Sequence, residues 1–402
     1  MKIRSITYFF NPGYPAGSQD LQRAGRFATA ARSQFQDAGY EVETVRLATP
    51  PFPGWYDAGH PQAFARDLES AAQTAGYDYI SLGPALPESP HSYTAIPAML
   101  AATQNAFFSG VMTGSRGRVD LAAVKACAGI IHQAAELSPD GFANLRFAAL
   151  ANVPPGAPFF PAAYHQGGAP AFALATEAAG LAVQAFSAAN GVEDARRRLT
   201  ASIEEHGQRL VQAAHNLAAQ SNLSFGGIDF SLAPFPESEL SLGTALERLG
   251  APAVGQHGSL AAAALLADIL DRARFPHAGF SGLMLPVLED ATLAARAAQG
   301  SLSVKDLLLY SAVCGTGLDT LPLPGDTTQE QLAGVLLDLA ALAQRLDKPL
   351  TARLMPIPGK TAGDPTDFDF AYFANSRVMA LEAAPLQGPL AGQGSFHLRP
   401  RS

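Results

Sequence analysis

Four acidic positions, Asp229, Glu289, Asp290 and Asp326, each stand within or just after a short apolar run, and a buried strand delivers polar groups to a sheet end in this way. If Glu289 or Asp290 meets Asp229 and Asp326, the all-oxygen set suits Mg²⁺, Mn²⁺ or Ca²⁺ better than zinc. Two carboxylates sharing one pocket can instead divide acid and base roles, because their pKa values are pushed apart. Glu289 and Asp290 are adjacent, so their side chains diverge and only one is expected to enter a site. Both also suit a helix N-terminus. In LPLPGDTTQE, two prolines and a glycine fix the exit of a strand, and Thr327 with Glu330 matches a capping box. Asp326 is therefore either part of that cap or a carboxylate left free for a ligand.

His165 closes the Pro/Phe-rich PFFPAAYH, which is expected to fold over the mouth of the sheet, and it reads equally as a general base or as a buried structural histidine. Lys360, after the Pro-Gly of RLMPIPGK, can clamp a carboxylate or phosphate. Arg353 can do the same or pair with Asp319. Ser109, Thr113, Asn152 and Ser231 complete the polar residues expected near strand ends. His257 in GQHGS reads more simply as part of a helix start than as an anion site. Cys314 reads more simply as a packed thiol than as a nucleophile, and Cys127 lies in an Ala-rich helix. P-loop, GxGxxG, HExxH and GxSxG patterns are missing at the positions where they would act, which argues against nucleotide-dependent and serine-hydrolase chemistry.

Strands must hold these residues, and the pattern supplies them. Apolar segments at Ile3–Phe10, Tyr40–Ala48, Tyr77–Leu82, Ala106–Met112, Leu145–Ala151, Ile228–Leu232, Leu283–Leu288, Leu318–Leu323 and Leu350–Pro356 alternate with amphipathic stretches. Thr176 through Phe186 and Val192 to Ala219 read as a long helical block. Such alternation predicts an α/β fold with a largely parallel, barrel-like sheet of about ten strands and surrounding helices. Polar residues past the carboxyl ends of its strands would then converge on one face. Residues 1–387 read as one domain, with 388–402 as an arm or frayed tail.

Composition narrows the functional classes. The 402 residues are 48% hydrophobic and only 15% charged, below the usual ~25%, which fits close helix packing and predicts self-association into a homo-oligomer. A net charge of −8 with no basic block argues against nucleic acid or an acidic membrane. Two cysteines without a CxxC pattern exclude a disulfide framework, and the absence of an apolar run near ~20 residues excludes a membrane span. A cytoplasmic protein with a small-molecule ligand is expected.

Six ordered segments carry a family resemblance: residues 108–114 (FSGVMTG), 151–165 (ANVPPGAPFFPAAYH), 227–234 (GIDFSLAP), 279–291 (GFSGLMLPVLEDA), 313–328 (VCGTGLDTLPLPGDTT) and 352–360 (ARLMPIPGK). Together they resemble the bacterial domain of unknown function 711 family, related to uncharacterised protein family 0210. The resemblance implies a fold like that of pyruvate formate-lyase and raises Asp326 and His165 as site residues, while supplying no reaction. Cys314 resembles the loop cysteine of glycyl-radical enzymes, but the tail PLAGQGSFHLRP lacks their RVxGY-type loop. No glycyl radical is expected. The expectation is an enzyme acting on a small polar metabolite by carboxylate/His or divalent-metal chemistry, or else a non-catalytic metabolite-binding or regulatory protein.

Overall fold

Short apolar segments become strands here because their β-branched and aromatic residues are buried on both faces. The computed structural model describes residues 1–401. Its strands are β1 (Lys2–Phe9), β2 (Val42–Ala48), β3 (Tyr79–Ala85), β4 (Ala106–Val111), β5 (Thr113–Gly114), β6 (Arg118–Asp120), β7 (Phe147–Ala151), β8 (Ala171–Glu177), β9 (Ser224–Ala233), β10 (Gly317–Pro324), β11 (Leu350–Ile357) and β12 (Ser395–His397). Nine of them form one sheet in the order β10-β11-β7-β4-β3-β2-β1-β8-β9, and β12-β6-β5 form a small second sheet.

The sheet is largely parallel, as expected, but two antiparallel junctions interrupt it, so the strand ends do not all converge on one face. β1, β2, β3, β4 and β7 are mutually parallel. β8 then runs against β1, and β11 runs against β7, so β8 with β9 and β10 with β11 flank the central five in the opposite sense. The carboxyl ends of the strands are thus divided between two ends of the sheet. β8 itself falls partly within the stretch expected to be helical from Thr176. Its sequence AFALATE is Ala-rich and helix-compatible, yet pairing from Lys2↔Glu177 to Phe9↔Ala171 decides its conformation. The helix begins only at Ala179.

The segment 276–288, expected to be a strand at Leu283–Leu288, forms no full ladder. It touches both edges of the sheet through single parallel bridges, Ile228↔His277 and Pro286↔Asp319. Asp229 fastens it, accepting hydrogen bonds from the backbone N–H of Phe280 (2.9 Å) and Ser281 (3.0 Å).

The loop between β7 and β8 also departs from expectation. It does not lie over the mouth of the sheet but packs along the inner faces of the strands. Ala157, Phe159 and Ala162 pack with Ala148, Leu150, Ala233 and Met284, while Phe160 and Ala163 pack with Phe9, Ala48, Phe107 and Ala173. Its carbonyls are satisfied there: Ser81 Oγ donates to Ala163 O at 2.7 Å and Ser5 Oγ to Pro158 O at 3.2 Å. Small, hydroxylated residues on the strands make room for the loop's aromatics, whose burial stabilises the arrangement.

Beyond β11, the described residues 358–401 are mostly exposed, but a few enter the interior. Phe368 and Phe373 pack with Leu145, Leu288 and Met355, which carries Phe370 and Tyr372 inward. Residues 388–401 form an arm whose strand β12 pairs antiparallel with β6, and Lys125 Nζ donates to Gly392 O at 2.8 Å. Among the described residues, no helix is long and apolar enough to cross a membrane.

Candidate functional site

The interior cavity lies where the first residues of β1 to β4 approach the distal part of β8, the end of the 276–288 segment and the middle of β11. Its volume is about 90 Å³, and its charged lining consists of Arg4, Glu43, Arg46, Glu289 and Arg353. Phe107, Phe159, Phe160, Tyr79, Phe370 and Tyr372 form most of the remaining wall.

One ion-pair chain holds the floor of the cavity. Arg353 donates from Nη2 to Glu289 Oε1 at 2.7 Å and to Asp319 Oδ2 at 2.9 Å, and its Nε also pairs with Asp319. Arg4 pairs with the other oxygen of Glu289 and reaches Pro234 O at 3.3 Å. Burial alone would push the Glu289 carboxyl up, but Arg4 and Arg353 outweigh it and hold the group below its ordinary value. Two guanidinium groups and two carboxylates therefore balance.

Arg46 stands outside that balance. It lies among protein groups, with Nε donating to Thr44 Oγ1 at 2.7 Å and its guanidinium carbon 5.2 Å from the Phe160 ring centroid and 5.6 Å from that of Tyr79. Such cation–π contacts orient a guanidinium without neutralising it. Among the described residues Arg46 makes no ion pair. Burial, then the charge of Arg4, lowers its pKa to about 10, so it is still a cation at neutral pH. Glu43 is similarly open, since its Oε2 is buried and has no hydrogen-bond partner. The Tyr372 phenol lies beside Glu43, and burial followed by that carboxylate raises its pKa to about 12.

Glu177 has a second unpartnered oxygen, but it lines a neighbouring pocket with Lys2, Gln184 and His206 and not this cavity. It follows the cavity-lining Ala175 on the same face of β8, and its Oε2 is buried without a partner. Burial is the main cause that raises its carboxyl to about 7, with Arg4 opposing and Glu43 reinforcing the shift.

The residues expected from sequence divide among different tasks. Glu289 and Arg353 enter the cavity, and Arg353 is also the partner of Asp319. Asp290 turns away from Glu289 and caps helices: it accepts from Ser241 Oγ at 2.6 Å, Leu242 N at 2.6 Å and Thr292 N and Leu293 N at 2.9 Å. Asp229 and Ser231 serve each other and the 276–288 segment, with Ser231 Oγ 2.5 Å from Asp229 Oδ1. Burial raises the Asp229 carboxyl despite these donors.

His165 is buried in the interior loop, where its backbone N–H donates to Thr49 O at 2.9 Å and its Nε2 has no partner. Burial lowers its pKa against a hydrogen bond that the ring donates to the Gly168 backbone carbonyl. It does not line the cavity. Asn152 lies beyond β7, with its N–H donating to Thr113 Oγ1 at 3.0 Å, and Ser109 is buried on β4 with its hydroxyl unpartnered. Asp326 is exposed past β10, seven residues beyond Asp319, or roughly 20 Å of extended chain. The capping box beside it uses Thr328 and Gln331, a correction of one residue from the expected Thr327 and Glu330. Lys360 spends its charge on Asp367 at 2.6 Å and Pro365 O at 2.7 Å.

Asp229, Glu289, Asp290 and Asp326 thus do not form a common oxygen cage. Among the described residues, no group of three or more His, Cys, Asp or Glu side chains is arranged to hold a metal ion. Cys127 and Cys314 are both buried, and burial raises the Cys127 thiol.

Arg4, Glu43, Arg46, Tyr79, Glu177 and Tyr372 were not among the residues singled out from sequence. The available signal was the unusual presence of charge within β1, β2 and β8, since charged residues are seldom buried unless paired.

Comparison with known proteins adds the chain's kinship. Over 392 residues it is 31% identical to a UPF0210 protein of Pyrobaculum arsenaticum, covering 90% of this chain and 83% of that one. It is 35% identical over 272 residues to a UPF0210 protein of Pyrobaculum aerophilum, which takes in 66% of this chain and 59% of the relative's length. A UPF0210 protein of Neisseria meningitidis serogroup B is 27% identical over 357 residues, 85% of this chain and 79% of that protein. The family model described as "Uncharacterised ACR (DUF711)" matches residues 1–375, a span that contains every residue lining the cavity, and the chain belongs to that family.

Proposed function

We propose that the protein binds a small carboxylate-bearing metabolite in the interior cavity and acts on it by acid–base chemistry. The observation that carries this reading is Arg46, a guanidinium facing the cavity without an ion pair while Arg4 and Arg353 are neutralised by Glu289 and Asp319. A planar guanidinium held near two aromatic rings is preorganised for two-point binding of a carboxylate. Tyr372, whose phenol stays protonated far above neutrality, is the proton donor beside that position. Glu177 lies outside the cavity lining, but its carboxyl, raised to about 7 chiefly by burial, is near enough to feel the charge of Arg4.

The same reading takes the sheet as a ten-stave barrel of the pyruvate formate-lyase kind. Its support is the 276–288 segment, which bridges β9 on one side and β10 on the other, together with two sets of parallel strands meeting at two antiparallel junctions. A cavity walled mainly by aromatic side chains suits acid–base chemistry, since fewer competing waters strengthen each polar contact.

A second reading, a metabolite-binding protein without turnover, is favoured by the interior loop, which fills much of the concave face with the protein's own side chains. The two are separated by titrating short-chain carboxylates into the full chain by calorimetry and following exchange of ligand C–H for deuterium in heavy water by NMR. The catalytic reading expects binding that weakens at least about tenfold in Arg46→Gln, and exchange that is lost in Tyr372→Phe while binding persists. Binding without exchange supports the second reading. Carboxylate binding unaffected by Arg46→Gln overturns both.

A further inference from the structure

The cavity presents two unsatisfied groups of opposite charge. Arg46 lacks an anionic partner, and Glu43 has one oxygen that is buried and accepts nothing. They sit on the same strand and both line the cavity, yet they make no ion pair with each other. A buried carboxylate oxygen left without a donor is costly, as is a guanidinium without an acceptor. A ligand carrying one anionic and one cationic group relieves both costs together. A ligand carrying only a carboxylate would satisfy Arg46 and leave the Glu43 oxygen still buried and bare.

The rest of the wall sets the body of such a ligand. Phe107, Phe159, Phe370 and Met284 face the space that the charged groups leave, and none of them offers a hydrogen bond. The volume of about 90 Å³, at ~10–15 Å³ of such space per water, has room for about six to nine non-hydrogen atoms. Those requirements describe an apolar α-amino acid or a close analogue.

We propose that the ligand of this cavity is a zwitterion of the amino-acid type, its carboxylate held by Arg46, its ammonium by Glu43, and its apolar side chain by the phenylalanine-rich wall. This rests on the anion-binding reading of Arg46 and names the substrate class for it. Glu43 is then a specificity residue: it distinguishes an amino acid from the corresponding simple acid. Discrimination arises because the simple acid leaves a desolvated carboxylate unpaired, a larger effect than the gain of one contact.

The test compares leucine with isocaproate and isoamylamine, and valine with isovalerate, by calorimetry on the full chain. Leucine or valine should bind at least about tenfold more tightly than its des-amino acid, the change expected from one charge-assisted hydrogen bond. Glu43→Gln should erase that preference by weakening the amino acid and not the simple acid. Glu43→Asp should retain part of it, which keeps the test valid if the Gln variant folds poorly. Arg46→Gln should weaken acid and amino acid alike. Equal binding of amino acid and simple acid in the wild-type protein, still dependent on Arg46, overturns the zwitterion and leaves the anion reading standing. Carboxylates that fail to bind, or bind without regard to Arg46, overturn the anion reading and the zwitterion with it.

Discussion

Glu289, at the end of the segment that bridges β9 and β10, accepts from Arg353 of β11 at 2.7 Å. Its second oxygen pairs with Arg4 of β1, so one carboxylate ties three separate stretches of the chain together in the interior. Removing it leaves two buried guanidinium groups with too little negative charge. Glu289→Gln should therefore destabilise the protein by about 3–5 kcal/mol, the usual cost of breaking a buried pair on one side. Chemical denaturation measures it. A loss below about 1 kcal/mol would show that the arginines find other partners or water.

The same carboxylate makes stability sensitive to acid. Arg4 and Arg353 hold its folded pKa below the ordinary 4.5 in spite of burial. A depressed folded pKa means that stability is fully present above 4.5 and is lost as pH falls through the lower folded value. The melting temperature should drop steeply below about pH 4, and the Glu289→Gln protein, already less stable, should show a shallower drop.

Glu177 has the opposite sign. Its folded carboxyl is raised from 4.5 to about 7, chiefly by burial, so the folded state holds the proton more tightly than the unfolded chain. Stability from this group is greatest below 4.5 and declines as pH rises through 7. Glu177→Gln mimics the protonated form. It should raise stability at pH 8 by ~2–3 kcal/mol relative to wild type and make little difference at pH 4. Denaturation curves at the two pH values decide this, and a Gln variant that is less stable at both would refute it.

Asp290 should matter to stability and not to the ligand. It caps the helix that it precedes and also accepts from Ser241 Oγ and the backbone N–H groups of Leu242 and Gly243 at the start of another. Asp290→Ala should cost about 3 kcal/mol, combining a lost cap with unpaired buried donors. Affinity for any cavity ligand, measured where the variant remains folded, should stay within about twofold of wild type.

Asp326→Asn is the contrasting case. The side chain is exposed, the neighbouring capping box belongs to Thr328 and Gln331, and neither Asp326 nor any β10 residue lines the cavity. Stability should change by less than about 0.5 kcal/mol, as for most surface positions. Ligand binding should be unchanged as well. If Asp326→Asn abolishes binding in a folded protein, the functional site lies beyond the β10 end and not in the interior cavity.

The alternation of apolar and amphipathic segments was sufficient to place most strands and helices, because burial imposes its period on the sequence. The helix over Ser259–Arg272 and the strands near Leu318 and Leu350 are local patterns of that kind. Glu289 and Arg353 were legible as polar ends and brackets of apolar runs. Arg4, Glu43 and Arg46 were not: a charged residue inside a strand reads locally as an exposed face. Only the neighbouring strands reveal that it lines a cavity.

The sequence by itself determined the kind of elements, the acidic balance of the chain and the family resemblance, since each is written in composition, periodicity or ordered motifs. Tertiary structure alone decided strand direction at β8 and β11, the inward course of residues 153–165, and which charges meet. Those outcomes depend on pairings between distant residues such as Ile3↔Thr176 and Ala352↔Ala149, whose partners no local pattern specifies. Reversing two pairs of strands sends Glu289 and Arg353 to the end where β1 and β2 begin, and there Arg46 is left as the guanidinium without an ion pair.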